Sequence, residues 1–234
     1  MPRRTLALAA ATAVLSVLAV SSAGAAGVTT SGTGWKIATK DHITALSPSQ
    51  VQTVTFESDA IRKWYTPYLT RAVTQLRAAG VKISIGGVES VAAGKCPPRG
   101  HIWFREGYRP LAGRPGFSQA ATCYDTRTTA QYSAIVTMNS EYRDGSWYLS
   151  QDNKHNIPSH ELLHGLGLDH PNYDKDKDGT VENYECVATS YGNRPLACSP
   201  NGGYKTAANM GKLVGYDLNG IKALLANARA QGIK

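Results

Sequence analysis

The eleven residues HELLHGLGLDH, from His160 to His170, carry the side chains best placed to do chemistry. His160 and His164 are four residues apart, so on a helix they lie on one face and can share a metal ion. Gly167 predicts a left-handed turn that ends this helix and brings His170 back to the same point. Three neutral imidazoles leave a fourth tetrahedral position open, which is typical of a catalytic zinc site. Glu161, beside the first histidine, is the predicted general base for a water molecule at that position.

The same residues resemble the HExxHxxGxxH motif of the metzincin zinc endopeptidases at every defined position. The resemblance implies zinc ligation by the three histidines, a base role for Glu161 and a turn at Gly167. It implies a secreted enzyme, nearest to matrixin-like and reprolysin-like members, that hydrolyses peptide bonds by zinc-activated water. The implied fold is α+β, with a twisted mixed β-sheet and two helices above the cleft. Below the cleft it has a small irregular C-terminal subdomain ending in a helix, which residues 216–225 resemble.

Metzincins place a methionine in a tight turn beneath the zinc, and this chain offers two candidate segments for that turn. Met210, in the sequence ANMGK, is the only methionine after the third histidine. Residues 187–192, VATSYG, resemble the turn of members in which a tyrosine follows the methionine by two positions, with Thr189 at the methionine position. In that case we expect Tyr191 to reach the metal as a fifth ligand or to donate to the developing oxyanion. The sequence leaves the two segments open.

A second metal site is predicted shortly after the zinc motif. Residues 174–185 follow the spacing of an EF-hand loop, with glycine at the turn position. The expected ion is calcium, because the side chains at the ligand positions offer hard oxygens: Asp174, Asp176, Asp178, Thr180 and Glu185. Pro171 before the loop and Cys186 after it do not suit two flanking helices. We therefore expect a structural calcium loop that orders the lower wall of the cleft.

Two other interpretations of the metal-binding segment remain open. In a gluzincin-type protease Glu182 is the third zinc ligand in place of His170, although Gly167 and the third histidine favour the first interpretation. In a non-catalytic secreted binding protein on a metzincin fold, the metals serve stability alone. Glu161 argues against this second alternative, because a structural site has no use for a base.

The strands and helices that precede the motif are predicted from the periodicity of apolar residues and from helix-breaking residues. Residues 50–57 alternate like a β-strand, and Ser58 is suited to cap a helix that follows it. Pro67 predicts an interruption of that helix, which resumes over 68–79 and stops at Gly80. Further strands are predicted at two places: 81–88 and 100–105.

The middle of the chain predicts the surroundings of the metal helix. The Pro, Gly, Arg and Cys residues of 95–127 indicate a long loop insertion pinned by a disulfide. Residues 132–139 predict a strand, and the sequence leaves open whether it is an edge strand above the cleft or an internal strand. An edge strand there would hold a protein or peptide substrate in extended form by main-chain hydrogen bonds. Pro158 predicts that the metal helix begins near Asn156, because proline fits the first helical turn.

The first 25 residues are predicted to be a secretory signal peptide. Arg3 and Arg4 form its basic region, an apolar run follows, and Ala23-Gly24-Ala25 is a cleavage signal. We therefore expect an extracellular protein, with Sec or twin-arginine export left open. Residues 26–34 are predicted to be a flexible mature N-terminus, and residues 35–234 a single metalloprotease domain.

Composition and cysteine content narrow the class of protein further. The chain has 25 Lys and Arg against 17 Asp and Glu. Without the two arginines of the signal peptide, the net charge of the mature chain is 23 − 17 = +6. The basic residues are scattered, which argues against nucleic-acid binding. No second long apolar run follows, so we expect no stable membrane anchor. We also expect a monomer. Four cysteines in an exported chain predict two disulfides, and loop closure within turn-rich segments favours Cys96–Cys123 and Cys186–Cys198.

Overall fold

The computed structural model describes residues 27–234, so the predicted signal peptide over 1–25 lies outside the described residues. Within the described range the chain is α+β, with a mostly parallel sheet, a small antiparallel sheet and four α-helices. The predicted α+β class is confirmed at this level. Among these residues, none of the helices is long and apolar enough to cross a membrane.

The larger sheet of the described chain has six strands. They are β3 (Ala45–Leu46), β4 (Gln52–Phe56), β5 (Ile83–Val88), β6 (His101–Gly107), β7 (Gln119–Tyr124) and β8 (Ala130–Asn139). Their order is β3-β8-β6-β4-β5, and all of these neighbours are parallel. Strand β7 pairs antiparallel with β8. Alternate side chains of the central strands are fully buried: Val54, Phe56, Ile102, Phe104, Val136 and Met138.

Strand β8 is internal, and β7 forms the edge of the sheet. Ala134 of β8 pairs with Ile102 of β6 on one side and with Thr122 of β7 on the other. Of the two options for 132–139, the internal strand is therefore correct. The prediction of one long loop insertion over 95–127 is wrong at β7. The sequence QAATCY has little β-branched or aromatic character, so its strand structure depends on pairing with β8.

Helix α1 (Asp59–Ala78) packs on β4, β5 and β6. Its predicted cap is confirmed, because the Ser58 side chain accepts a hydrogen bond of 3.3 Å from the backbone N–H of Ile61. The predicted interruption at Pro67 is wrong, and the helix continues through it. Proline removes one backbone hydrogen bond, but tertiary packing holds the helix through its buried face: Tyr65, Leu69, Val73 and Leu76.

Helix α3 (Gln151–Gly165) carries the first two histidines of the motif. It begins at Gln151 and not near Asn156, so the start predicted from Pro158 is wrong and this proline lies inside the helix. The helix packs against α1, β7 and β8, and this packing outweighs the bond lost at proline. Gly165 lies so close to the sheet that an added Cβ would come within 3.3 Å of the Ala134 and Ile102 side chains.

The N-terminal residues pair with the chain that follows α3. Strands β1 (Ser31–Gly32), β2 (Trp35–Ile37) and β9 (Leu168–Asp169) form a small antiparallel sheet. Part of the segment 26–34, which the sequence predicts to be flexible, is hydrogen-bonded to a distant part of the chain. The backbone N–H of Thr29 donates to Asn227 Oδ1 at 3.0 Å, and its carbonyl accepts from Asn227 Nδ2 at 2.8 Å. These partners are distant in sequence, so local composition does not reveal them.

The C-terminal part of the chain is irregular until helix α4 (Gly215–Ala230). Between β9 and α4 the described backbone runs through turns and loops, with one isolated bridge between Arg194 and Gly203. Both predicted disulfides of the described chain, Cys96–Cys123 and Cys186–Cys198, are confirmed. The predicted helix at 216–225 is also confirmed. A short helix, α2 (Glu141–Asp144), follows β8 directly.

Candidate metal centre

The three histidines of the motif converge at one point. The Nε2 atom of His160 lies 2.9 Å from that of His164 and 3.2 Å from that of His170. The Nε2 atoms of His164 and His170 are 3.0 Å apart. Three nitrogens bound tetrahedrally to zinc at about 2.05 Å would be separated by about 3.3 Å. The donor atoms and their spacing therefore fit a zinc ion.

The first two imidazole rings are oriented by backbone carbonyl groups. His160 Nδ1 lies 2.7 Å from the Leu196 oxygen, and His164 Nδ1 lies 2.7 Å from the Leu168 oxygen. A proton donated from Nδ1 leaves the Nε2 lone pair free for a metal. Burial lowers the pKa of all three rings, and that of His170 falls to about 3. The rings are therefore neutral at pH 7, the state that metal ligation requires.

The turn that delivers His170 is made by Gly167, as predicted. Its φ is 106°, and its backbone N–H donates to the His164 carbonyl at 2.9 Å. Asp169 then accepts a 2.8 Å hydrogen bond from the backbone N–H of His170. Its carboxylate is held by two lysine ammonium groups, each at 3.1 Å: Lys36 and Lys40. The third imidazole is thus fixed by both the turn and the residue before it.

Glu161 is buried beside the histidines, with 6% of its surface exposed. It projects into the same cavity as the three imidazoles. Burial raises the pKa of Glu161 to about 8. A bound dication would favour the charged carboxylate and oppose that effect. A poorly solvated carboxyl group in this position suits a residue that takes up and returns a proton.

The cavity above these residues, which we call the histidine cleft, has a volume of about 420 Å³. Strand β7 forms one wall through Gln119, Ala120 and Thr122. The Thr122 hydroxyl donates to the His164 carbonyl at 2.9 Å, which ties this strand to α3. The remaining walls come from three other segments and include Lys40, Asp41, Leu111, Arg114, Phe117, Ser118, Ser199 and Pro200.

A second cavity adjoins the histidine cleft beside Glu161. It has a volume of about 220 Å³, and we call it the aromatic pocket. Its wall includes aromatic and aliphatic side chains: Tyr142, Trp147, Tyr148, Leu149 and Ile157. The two cavities share four lining residues: Phe117, Ser118, Glu161 and Pro200.

The turn that supports His160 is formed by Leu196 and Ala197. No sequence pattern predicts a role for either residue. Leu196 is fully buried, and its carbonyl oxygen orients the His160 ring. Asp217 of α4 accepts hydrogen bonds from the backbone N–H groups of Leu196 at 2.9 Å and Ala197 at 3.1 Å. It also accepts one at 2.8 Å from Val214, the cap of its own helix. Burial raises the pKa of Asp217 to about 6, despite these bonds.

Neither sequence-based candidate for this turn lies beneath the histidines. Tyr191 is 91% exposed and lines a separate surface cleft, so its predicted role as a metal ligand or oxyanion donor is corrected. A tight turn, in which the Gly192 N–H donates to the Thr189 carbonyl at 2.8 Å, holds this segment at the surface. Met210 lies beside α1, where its carbonyl accepts from Arg71 Nη1 at 2.9 Å.

The acidic loop, residues 174–185, brings together most of the predicted calcium ligands. Carboxylate oxygens lie within 4.8 Å of one another in two overlapping sets: Asp174, Asp176 and Glu185, and Asp176, Asp178 and Glu182. Gly179, at the turn position, has a φ of 93° and donates to Asp174 Oδ2 at 2.9 Å. The Thr180 N–H donates to Asp178 Oδ1 at 2.8 Å. Converging hard oxygens fit calcium.

The acidic loop is hydrogen-bonded to the wall of the histidine cleft. The backbone N–H of Tyr184 donates to the Ser199 carbonyl at 2.7 Å. Asn172 accepts from the Ser199 N–H at 2.8 Å and donates to the Glu182 carbonyl at 3.1 Å. Ser199 itself lines the cleft. Glu182 therefore lies in the acidic loop, and the residue that completes the histidine cluster is His170.

Comparisons with known proteins add little to this geometry. No family model matches the sequence, and no curated protein matches it. Among solved structures, the chain is similar to a chain of the "GM1 bound form of the ECX AB5 holotoxin". The identity is 13%, the coverage is 82% of this chain and 84% of that chain, and the TM-score is 0.34. A TM-score this low carries no argument about fold or function.

Proposed function

We propose that this chain is a zinc-dependent endopeptidase of the metzincin type. The observation that carries the proposal is the convergence of the Nε2 atoms of His160, His164 and His170 beside buried Glu161 in an open cleft. Three ligands and an accessible cavity suit catalysis, since a structural zinc is normally closed by four protein ligands. The order of elements, a sheet with helices α1 and α3 followed by an irregular segment and a final helix, supports the metzincin plan.

Each residue of the site has a defined part in peptide hydrolysis. Zinc, when bound, supplies Lewis acidity and lowers the pKa of a water ligand. Glu161 accepts the proton of the attacking water and delivers it to the leaving amine as the C–N bond breaks. The carbonyl groups of Leu196 and Leu168 keep two imidazoles in the orientation that ligation needs.

Strand β7 is the element that best suits an extended peptide substrate. Within the described residues it pairs with β8 alone, so its other side offers free main-chain groups. Three of its residues also line the histidine cleft. Main-chain hydrogen bonds to such an edge hold a peptide in register without requiring one sequence. A side chain next to the scissile bond would then reach the aromatic pocket.

We also propose that calcium in the acidic loop stabilises the lower wall of the cleft. The bonds from Tyr184 and Asn172 to Ser199 connect the loop directly to that wall. A bound dication would offset the mutual repulsion of the carboxylates that converge there. The predicted signal peptide and the two disulfides of the described chain support an extracellular location, where calcium is abundant.

The proposal is tested by measuring zinc content and casein cleavage on the mature protein. We expect about one zinc per chain at the histidines, loss of cleavage on zinc chelation, and recovery on addition of zinc at saturating calcium. His170→Ala should lose zinc, whereas Glu182→Ala should retain it. Cleavage that persists without zinc, or a zinc-loaded protein that cleaves nothing, would reject the proposed activity.

A further inference from the structure

One loop passes over the end of strand β8 and lines the histidine cleft. Residues 108–118, which we call the cleft loop, connect β6 to β7. Strand β8 lies between these two strands, so the cleft loop must pass over the end of β8, where Gly107 pairs with Asn139. Four of its residues line the histidine cleft: Leu111, Arg114, Phe117 and Ser118.

A single buried carboxylate anchors both ends of the cleft loop. Glu141, which is 2% exposed, accepts from Arg109 Nε at 2.9 Å near the start of the loop. It accepts from the Gly116 N–H at 3.1 Å near the end, and from Asn139 Nδ2 at 2.8 Å. Asn139 in turn accepts from the Arg109 N–H at 3.3 Å. Glu141 does not itself line the histidine cleft, so any effect on a ligand must act through the loop.

Neighbouring residues fix the end of the cleft loop in the same place. The Ser118 hydroxyl accepts from the Asn139 N–H at 3.0 Å, and the Tyr142 hydroxyl donates to the Gly116 carbonyl at 2.8 Å. The Trp147 indole packs so closely that a Cβ on Gly116 would come within 2.2 Å of it. These contacts join the loop to α2 and to the aromatic pocket.

The backbone of the cleft loop is held in a conformation that side chains disfavour. Arg109 and Ala112 have φ values of 45° and 44°, in the left-handed region. Such conformations persist where the surrounding structure imposes them. The loop presents an exposed guanidinium, that of Arg114, stacked 4.2 Å above the Phe117 ring centroid. This pair forms the part of the cleft wall that the anchor keeps in position.

We propose that Glu141 is a positioning residue for substrate binding, which holds the cleft loop so that Phe117 and Arg114 contact the peptide beside the scissile bond. This inference rests on the proposed endopeptidase function. Binding energy from such a wall depends on its being pre-organised, because a loose loop must be ordered when the substrate binds. Removal of the anchor should therefore raise KM more than it lowers kcat.

The first experiment measures peptide cleavage by three zinc-loaded variants. Glu141→Ala should raise KM about tenfold and change kcat less than about threefold, with zinc content unchanged. Arg109→Gln removes one bond at the exposed end of the anchor, so it should fold and show a smaller rise in KM. Glu106→Ala is the matched control, because it also removes a buried carboxylate, which bonds to Arg143 and Tyr65 away from the cleft. The control should lose stability but keep its KM.

The second experiment asks whether Glu141 acts through the cleft loop. If it does, the effects of Glu141→Ala and Phe117→Ala on KM should be less than additive in the double variant. Hydrogen exchange should also become faster over 108–118 in Glu141→Ala and stay unchanged there in Glu106→Ala. Unchanged exchange in the loop, or an additive double variant, would overturn the inference even if peptides are cleaved. Faster exchange in a protein that cleaves no peptide would instead reject the endopeptidase function and retain the anchor.

Discussion

Among single residues, one glycine decides whether the three histidines can meet. His160 and His164 meet because they share a helix face, but His170 reaches them because Gly167 has a φ of 106°. A Cβ at Gly167 would also lie 2.6 Å from Ile43 Cγ2, inside van der Waals contact. Both the left-handed backbone and the lack of space therefore require glycine at this position.

Gly167→Ala should weaken zinc binding and destabilise the fold. The strained backbone costs about 1–3 kcal/mol, and His170 is displaced by any relief of that strain. Zinc titration followed by thermal unfolding measures both effects. Gly87→Ala is the matched control, because an added Cβ at Gly87 meets nothing within 4 Å and its φ is not positive. Equal zinc affinity and equal Tm in the two variants would contradict the role given to Gly167.

Asp217 predicts a pH dependence of stability with a definite sign. Burial raises the pKa of its carboxyl in the folded protein to about 6, above the ordinary value of 3.8. The folded state therefore binds the proton more tightly than the unfolded state does. This difference stabilises the fold at about pH 4, and the stabilisation is lost as pH rises through about 6. Relative to Asp217→Asn, the wild-type free energy of unfolding should fall by up to about 3 kcal/mol over that range.

Denaturant unfolding of both proteins between pH 4 and 7 checks this sign. The three clustered histidines are common to the two proteins, so their own pH dependence cancels in the difference. Asp217→Asn should also be less stable at every pH, since an amide offers one acceptor oxygen to the backbone N–H groups of Leu196, Ala197 and Val214. A difference that grows with rising pH would contradict the raised pKa.

At the scale of secondary-structure elements, the sequence predicts local features better than pairing. The strands at 50–57 and 81–88, the cap at Ser58 and the helix at 216–225 follow from residue pattern and are found. Pro67 and Pro158 both mislead, because packing of α1 and α3 in the core outweighs the loss of single backbone hydrogen bonds. Strand β7 was missed because its structure comes from pairing with β8.

The acidic loop is the element whose metal dependence is most easily measured. Calcium at a hundredfold excess over its Kd would stabilise the folded state by about 2.7 kcal/mol. Removing it, with zinc retained, should therefore lower Tm by roughly 5–10 °C. Asp176→Asn should reproduce that shift and abolish the response to calcium. The control Asp59→Asn alters an exposed aspartate on α1, which pairs with Arg62. An unchanged Tm and unchanged cleavage after calcium removal would reject the role of the loop.

In the molecule as a whole, the histidine cluster could be predicted from the sequence, but the residues that support it could not. Three histidines, the glutamate and the glycine lie within eleven residues, so spacing alone describes how they meet. The turn beneath His160 depends instead on Asp217, which is 21 residues from Leu196 in sequence. Tyr191 suggested the wrong segment for that turn, because a local pattern does not report which segment packs against the histidines.

Peptide hydrolysis with Glu161 as the base is tested by comparing Glu161→Gln with the wild-type protein. The amide keeps the size of the side chain but does not act as a base, so kcat for casein or a peptide should fall about 10²–10⁴-fold while zinc content stays the same. Glu57→Gln, at an exposed glutamate away from the cleft, is the control and should cleave as the wild type does. Equal cleavage by Glu161→Gln and wild type, both zinc-loaded, would contradict the role of Glu161 as the general base.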